Sequence, residues 1–229
     1  TVALAMLLLL DAVSRVIPLA ASLSSILLSL SPIPTVLEII KARSTGQFAM
    51  APFTSMLLNN VAMFSYGFEL GDRIMVVVAI LDGFLAIWYV SVYYTYSHER
   101  VQLQRILIVL QLALMSGLAL IASAAPQHAT FWLGVLSNVA AVLMFGAPLV
   151  KVQEVIRTRS VAGIPRGVSI MSFICSSLWT LYGLQVGNAF LTAPNALGAV
   201  LAAAQLSLFA LYPSSASDRS SSSPPPDSR

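Results

Sequence analysis

Charge is scarce in this sequence: acidic and basic residues together make up 9% of its 229 positions, where a soluble domain carries about 25%. Cysteine is scarcer still. The single one, Cys175, excludes an internal disulfide and any cysteine-cluster metal site. Histidine is present only at His98 and His128, so a histidine-held metal has no ligand set and no metal is expected. Twelve Lys+Arg against nine Asp+Glu leave a formal charge of +3, too few bases for a nucleic-acid surface. The lysines, Lys41 and Lys151, stand at the ends of apolar runs, which leaves none inside a span to carry a retinal Schiff base. An intramembrane enzyme would need a nucleophile with a base, or a pair of acids. Only Asp82 stands mid-span, with no histidine or second acid at its depth, so neither a catalytic residue nor a cofactor is expected.

What the chain has in abundance is apolar surface. Hydrophobic residues make up 58% of it, and the mean hydropathy is +0.85. These values define an integral membrane protein whose main partner is the lipid bilayer. A helix needs about 20 mainly apolar residues to cross the hydrocarbon with its backbone satisfied internally. Seven stretches qualify, at 16–40, 48–67, 73–96, 103–123, 130–152, 165–184 and 189–212. They are divided by KARSTGQ, FELGD, SHERVQ, AAPQHAT, EVIRTRSVAG and QVGN. With the amino terminus outside, Lys41, Arg43, Arg100, Arg105, Lys151, Arg157, Arg159, Arg166, Arg219 and Arg229 fall on the cytoplasmic side, leaving Arg15 and Arg73 outside. The excess of bases inside favours that orientation, with a cytosolic carboxyl terminus.

The chain also says nearly the same thing twice. SPIPTVLEIIKARS at 31–44 is echoed by APLVKVQEVIRTRS at 147–160. Both copies put a basic turn after their first helix, so both enter the membrane in the same direction. Three helices end on the side opposite to their start, and one extra crossing must precede the second copy. The expected fold is therefore all-α, with seven transmembrane helices arranged 3+1+3 as two parallel three-helix bundles. The first repeat is placed at 16–97, a linker helix at 98–129 and the second repeat at 130–212. Residues 1–15 read as an extension of the first helix or a fragment of a leader, since TVALAMLLLL lacks an initial methionine. The Ser/Pro-rich segment 213–229 reads as a disordered cytosolic tail.

At this point the residues resemble a known family. SPIPTVLEIIKARSTGQFAMAPF is similar to the first repeat of the SWEET sugar transporters, and APLVKVQEVIRTRSVAGIP with WTLYG and APNALGA to the second. The similarity runs from about residue 20 to 212. It implies passive, bidirectional movement of mono- or disaccharides by alternating access. Family members assemble into oligomers, so a homo-oligomer is implied here by resemblance alone. The plasma membrane is the default location, an internal membrane the alternative.

Asp82 is the ionisable side chain that lies mid-span, where charge is expensive and function is the default reading. Ten residues separate it from Asp72 at the outer boundary, about 15 Å at helical rise. Asn195 sits eight residues past Gly187, roughly 12 Å deep. Short amide and carboxyl groups facing each other across a repeat axis suit a guest rich in hydroxyls. The family's sugar-binding asparagines map onto Asn195 in PNALG and onto Asp82 in LDG, where aspartate replaces asparagine. That change adds a protonation event, biases the site toward another solute, or leaves a neutral carboxyl in place of the amide; the residues leave all three open. A plain helix-to-helix hydrogen bond is the competing account of both residues.

By resemblance, Trp179 stacks on the apolar face of a sugar ring, while an interfacial belt is the alternative for a tryptophan near Gly183. Met63 matches the other pocket-lining position and narrows it toward a monosaccharide. Pro32 and Pro148 fall in the first helices of the repeats and Pro52 and Pro165 in the second, where bends would supply a cytoplasmic hinge. They correspond to the family's proline tetrad. Tyr66 in SYG and Tyr182 in LYG are expected to close the outer gate, with Asn188 where the family often has an acidic partner. Glu38 and Glu154 are matched too and read as local ion-pair partners of the nearby bases. Receptors with seven helices show no such duplication. The surviving alternatives are a proton-coupled carrier of another small solute on the same fold, and a membrane scaffold that transports nothing.

Overall fold

Helix boundaries in this chain are set by prolines and glycines rather than by the ends of its apolar runs. A computed structural model describes residues 2–212 apart from 47, 98–104, 106, 107, 110, 114, 115, 118, 119, 121, 122, 125, 145 and 162–164. Among the described residues regular structure is helical. The elements are α1 (Val2–Ser29), α2 (Ile33–Ala42), α3 (Ala51–Leu70), α4 (Arg73–Tyr96), α5 (Pro126–Met144), α6 (Gly146–Thr158), α7 (Arg166–Gln185) and α8 (Ala189–Leu211). Four stretches, Val13–Ala42, Arg73–Tyr96, Arg166–Gln185 and Ala189–Leu211, are long and apolar enough to cross a membrane. Large apolar side chains such as Leu19, Phe84 and Val200 are 70%, 67% and 65% exposed, a surface that lipid covers and water would not tolerate.

The expected third span, 73–96, coincides with α4, because Asp72 caps its first turn. The others shift. The second was expected at 48–67, yet α3 starts at Ala51 with Pro52 in its first turn and continues through Leu70 to Gly71, left-handed at φ 74°. The first was expected over 16–40 with a bend at Pro32; the helix stops at Ser29 and resumes at Ile33. Pro32 has no N–H, and two three-residue bonds, Ser31 N to Leu28 O at 3.0 Å and Ile33 N to Leu30 O at 3.1 Å, carry the chain through the turn. Residues 2–10 run into α1 without a break. The fifth span was expected at 130–152, but α5 begins at Pro126 and α6 continues to Thr158. The linker helix expected at 103–123 lies largely outside the described residues; those described, such as Gln111–Ala113, are helical. The tail expected at 213–229 lies outside them altogether.

The duplication extends to single backbone angles. Arg43 and Arg159, after α2 and α6, both turn left-handed at φ 52° and 53°, and Gly71 and Gly187, after α3 and α7, do so at φ 74° and 65°. Packing repeats as well. α4 lies against α1, α2 and α3, and α8 against α5, α6 and α7, while the halves meet through α1 on α7 and α3 on α5. The largest buried cluster fills the junction, with Ala21, Tyr66, Met75 and Val78 from one half and Leu133, Cys175, Trp179, Tyr182 and Leu191 from the other.

Carbonyls that lose their helical donor are capped by side chains of other helices, as a span without access to water requires. Pro194 frees the Phe190 carbonyl in α8, and Asn138 Nδ2 of α5 donates to it at 2.8 Å. Pro18 frees Ser14 O in α1, which receives Gln185 Nε2 of α7 at 2.9 Å. At the α1–α2 break, Ser29 O receives the Tyr89 hydroxyl of α4 at 2.8 Å.

Candidate functional site

The α3–α4 and α7–α8 turns are copies, and each cap residue has a second task. Asp72 Oδ1 accepts from Ile74 N at 2.9 Å and Met75 N at 3.1 Å, while Asn188 Oδ1 accepts from Leu191 N at 3.1 Å. Each also receives a tyrosine from the opposite half. Tyr66 donates to Asn188 Oδ1 at 2.9 Å, and Tyr182 donates to Asp72 Oδ2 at 2.7 Å. The two contacts exchange when the halves are exchanged, so this end of the bundle is latched crosswise. Asn188 Nδ2 is buried there with no partner. An open recess of about 850 Å³ borders the latch, with Tyr66, Asp72, Arg73, Tyr182, Asn188 and Phe190 in its wall.

Sequence reasoning named Tyr66, Tyr182 and Asn188 but used Asp72 only as a boundary marker. The signal was present: YGFELGD and YGLQVGN carry Tyr and Asp or Asn at the same spacing.

Trp179 lies one turn below Tyr182, 5% exposed and edge-on to that ring at 5.8 Å and 73°. The indole faces the junction of the halves. Met63 packs against the same cluster, and Ser137 of α5 donates to its sulfur at 3.3 Å.

Asp82 is 5% exposed in the middle of α4. Its carboxyl lies on α1, with Ser25 Oγ 2.8 Å from Oδ2 and Ser29 Oγ 2.8 Å from Oδ1. Asn195 is half-buried on α8 and donates to Leu191 O of its own helix at 2.8 Å. In this conformation the two residues therefore engage separate partners. Neither belongs to the wall of the recess at the latch. Ser25, Ser29 and Tyr89 were not singled out from sequence, because nothing in an all-apolar α4 marks which neighbour its one acid meets.

The prolines divide into two kinds. Pro52 lies in the first turn of α3 and Pro165 is the residue before α7, so both start helices. That corrects the expectation of bends inside the second helices, since the first turn has no hydrogen bond for proline to remove. Pro32 stands at the α1–α2 break, and Pro148 is in the first turn of α6 just past residue 145. Among the described residues no group of three metal-ligating side chains occurs.

Duplicated turns, cross-latched halves and an apolar outer surface define a multi-pass integral membrane protein built from two like units. Residues 15–101 and 131–217 each match the family described as "Sugar efflux transporter for intercellular exchange". The chain is 31% identical over 195 residues to "Bidirectional sugar transporter SWEET1b" of Oryza sativa subsp. japonica, covering 82% of this chain and 75% of that one. Against "Bidirectional sugar transporter SWEET2b" of the same rice the identity is 32% over 203 residues, 85% of this chain and 87% of the relative. The solved structure of a eukaryotic SWEET transporter superposes with a TM-score of 0.77 at 31% identity, over 89% of this chain and 98% of that one. The chain belongs to the SWEET family.

Proposed function

We propose that this protein moves mono- or disaccharides passively and in both directions across a membrane by alternating access. The observation that carries the reading is the crosswise pair of tyrosine contacts: a device that closes one end of a duplicated bundle with matched bonds suits a carrier opening alternately to either side. In this reading the units are 16–97 and 130–212, joined by a crossing helix within 98–129 to complete the 3+1+3 layout. On the same reading the excess of basic residues favours a latch on the outer side and α2 and α6 ends in the cytosol, and the plasma membrane is the default location. Tyr66, Tyr182, Asn188 and Asp72 form the outer gate. Pro32, at the α1–α2 break, and Pro148, near the start of α6, form the hinge, and Pro52 and Pro165 fix where the moving helices start. Sugar hydroxyls meet Asp82 and Asn195 once the α1 contacts of Asp82 part, while Trp179 and Met63 supply the apolar walls.

Uptake of labelled glucose and sucrose into vesicles holding the purified chain tests the proposal. Sugar flux that ignores an imposed pH gradient supports a facilitator, gradient-driven accumulation supports the proton-coupled alternative, and no flux supports a scaffold. Asp82→Ala that moved sugar at the normal rate would remove Asp82 from the site.

A further inference from the structure

We propose that Asp82 is a proton-binding site, occupied in this conformation, at the place where the end of α1 meets α4 beside the hinge. The argument is a count of hydrogens. Three oxygen–oxygen contacts of 2.8 Å meet here: Ser25 Oγ with Asp82 Oδ2, Ser29 Oγ with Asp82 Oδ1, and Ser29 Oγ with Ile26 O. Each needs one hydrogen between its oxygens. The serine hydroxyls bring one apiece, and a carbonyl brings none. With Asp82 ionised, the single Ser29 hydrogen must be shared between two acceptors, and both contacts are weakened or one is left unfilled.

With Asp82 as the neutral acid every contact is filled. Ser25 donates to Oδ2, the acid O–H at Oδ1 donates to Ser29, and Ser29 donates to Ile26 O.

The surroundings favour the same form. Asp82 is 5% exposed within a candidate span, where an unpaired carboxylate is strongly disfavoured. The groups that face it carry no positive charge. From α7 comes Cys175, from α4 itself Tyr89, and from α1 the two serines. From α3 the buried polar group at this level is Asn60, whose Cβ lies 3.8 Å from the position a Cβ would take on Gly83.

Position gives the proton a mechanical consequence. Ser29 is the last residue of α1, immediately before the Leu30–Pro32 turn. Its hydroxyl is held by Asp82 and its carbonyl by Tyr89, both from α4. Loss of the proton leaves the Ser29 hydroxyl a single hydrogen for both the carboxylate and Ile26 O, so the network joining the last turn of α1 to α4 rearranges beside the hinge.

Infrared spectroscopy of the full chain in vesicles tests this without any sugar, so its outcome is separate from that of the transport assay. At neutral pH the wild type should show the C=O stretch of a protonated carboxyl, which Asp82→Asn lacks and which titrates away on adding base. Ser25→Ala should move that band to higher frequency, because the donor to the carbonyl oxygen is gone. A wild-type spectrum at neutral pH without that band, or a band unchanged in Asp82→Asn, would overturn the proposal.

Discussion

Asn188 and Asp72 occupy the same place in their repeats, yet only the amide leaves a donor stranded. Both side chains accept from a helix N-terminus and from a tyrosine. A carboxylate uses all of its capacity in accepting, whereas the amide brings Nδ2, which is buried without a partner. Asn188→Asp should therefore strengthen the latch, since it removes an unsatisfied donor, places a negative charge at the start of α8 and copies the Asp72 arrangement. The gain expected is about 1 kcal/mol, read as a higher midpoint of thermal unfolding in detergent. A lower midpoint would mean that the amide nitrogen is satisfied in solution. Asp82 shows what sequence alone conceals at this scale. Its place mid-helix was legible from LDG and the span around it, because one acid in an apolar run stands out. Its partners were not, because α4 is apolar on every side and Ser25 and Ser29 look like ordinary small residues in a leucine-rich helix.

Among helices, the glycine that follows each latch tyrosine is a point of close approach. A Cβ on Gly67 would lie 2.8 Å from Met75 Cβ, and one on Gly183 2.5 Å from Thr192 Oγ1 and 2.9 Å from Thr192 N. Gly183→Ala must therefore push α7 from α8, and Gly67→Ala α3 from α4. Each should lower stability by about 1–3 kcal/mol, while Gly167→Ala, with nothing within 4 Å of its Cβ, serves as a control that holds or gains stability. Thermal unfolding of the three variants checks the contrast. The prolines argue the opposite case, in which an element needs interruption. Pro32→Ala restores an N–H where α1 now ends, so a continuous helix competes with the turn at 30–32. Sugar transport should slow while sugar binding persists, a fall in kcat without a matching rise in KM. The sequence marked these interruptions by their prolines but could not grade them. Pro52 and Pro32 look alike as letters; only the fold places one in a free first turn and the other where hydrogen bonds must be rerouted.

For the whole molecule, the latch and the hinge lie at different levels of one bundle, and the cluster between them has to open if the halves part. That cluster contains the chain's single cysteine, Cys175, 6% exposed and seven residues from Tyr182, about 10 Å deeper by helical rise. Its alkylation rate therefore reports how often the latched end opens, with no engineered label. Each tyrosine contact is a neutral or charge-assisted hydrogen bond with a net worth of about 1 kcal/mol. Tyr66→Phe and Tyr182→Phe should each raise the rate about fivefold, and the double variant about 30-fold. The factors should multiply because the contacts share no atom and join different pairs of helices. A membrane-impermeant maleimide added to one side of sealed vesicles measures both the rate and the side on which the latch lies. Labelling of the double variant no faster than the wild type would mean that the halves are held elsewhere. Acceleration only from the side carrying Lys41 and Arg157 would mean that Cys175 is reached from the opposite end and not through the latch. The two repeats need not have kept equal closures after their sequences diverged, and the ratio of the two single variants measures how far Asn188 and Asp72 have drifted apart in strength.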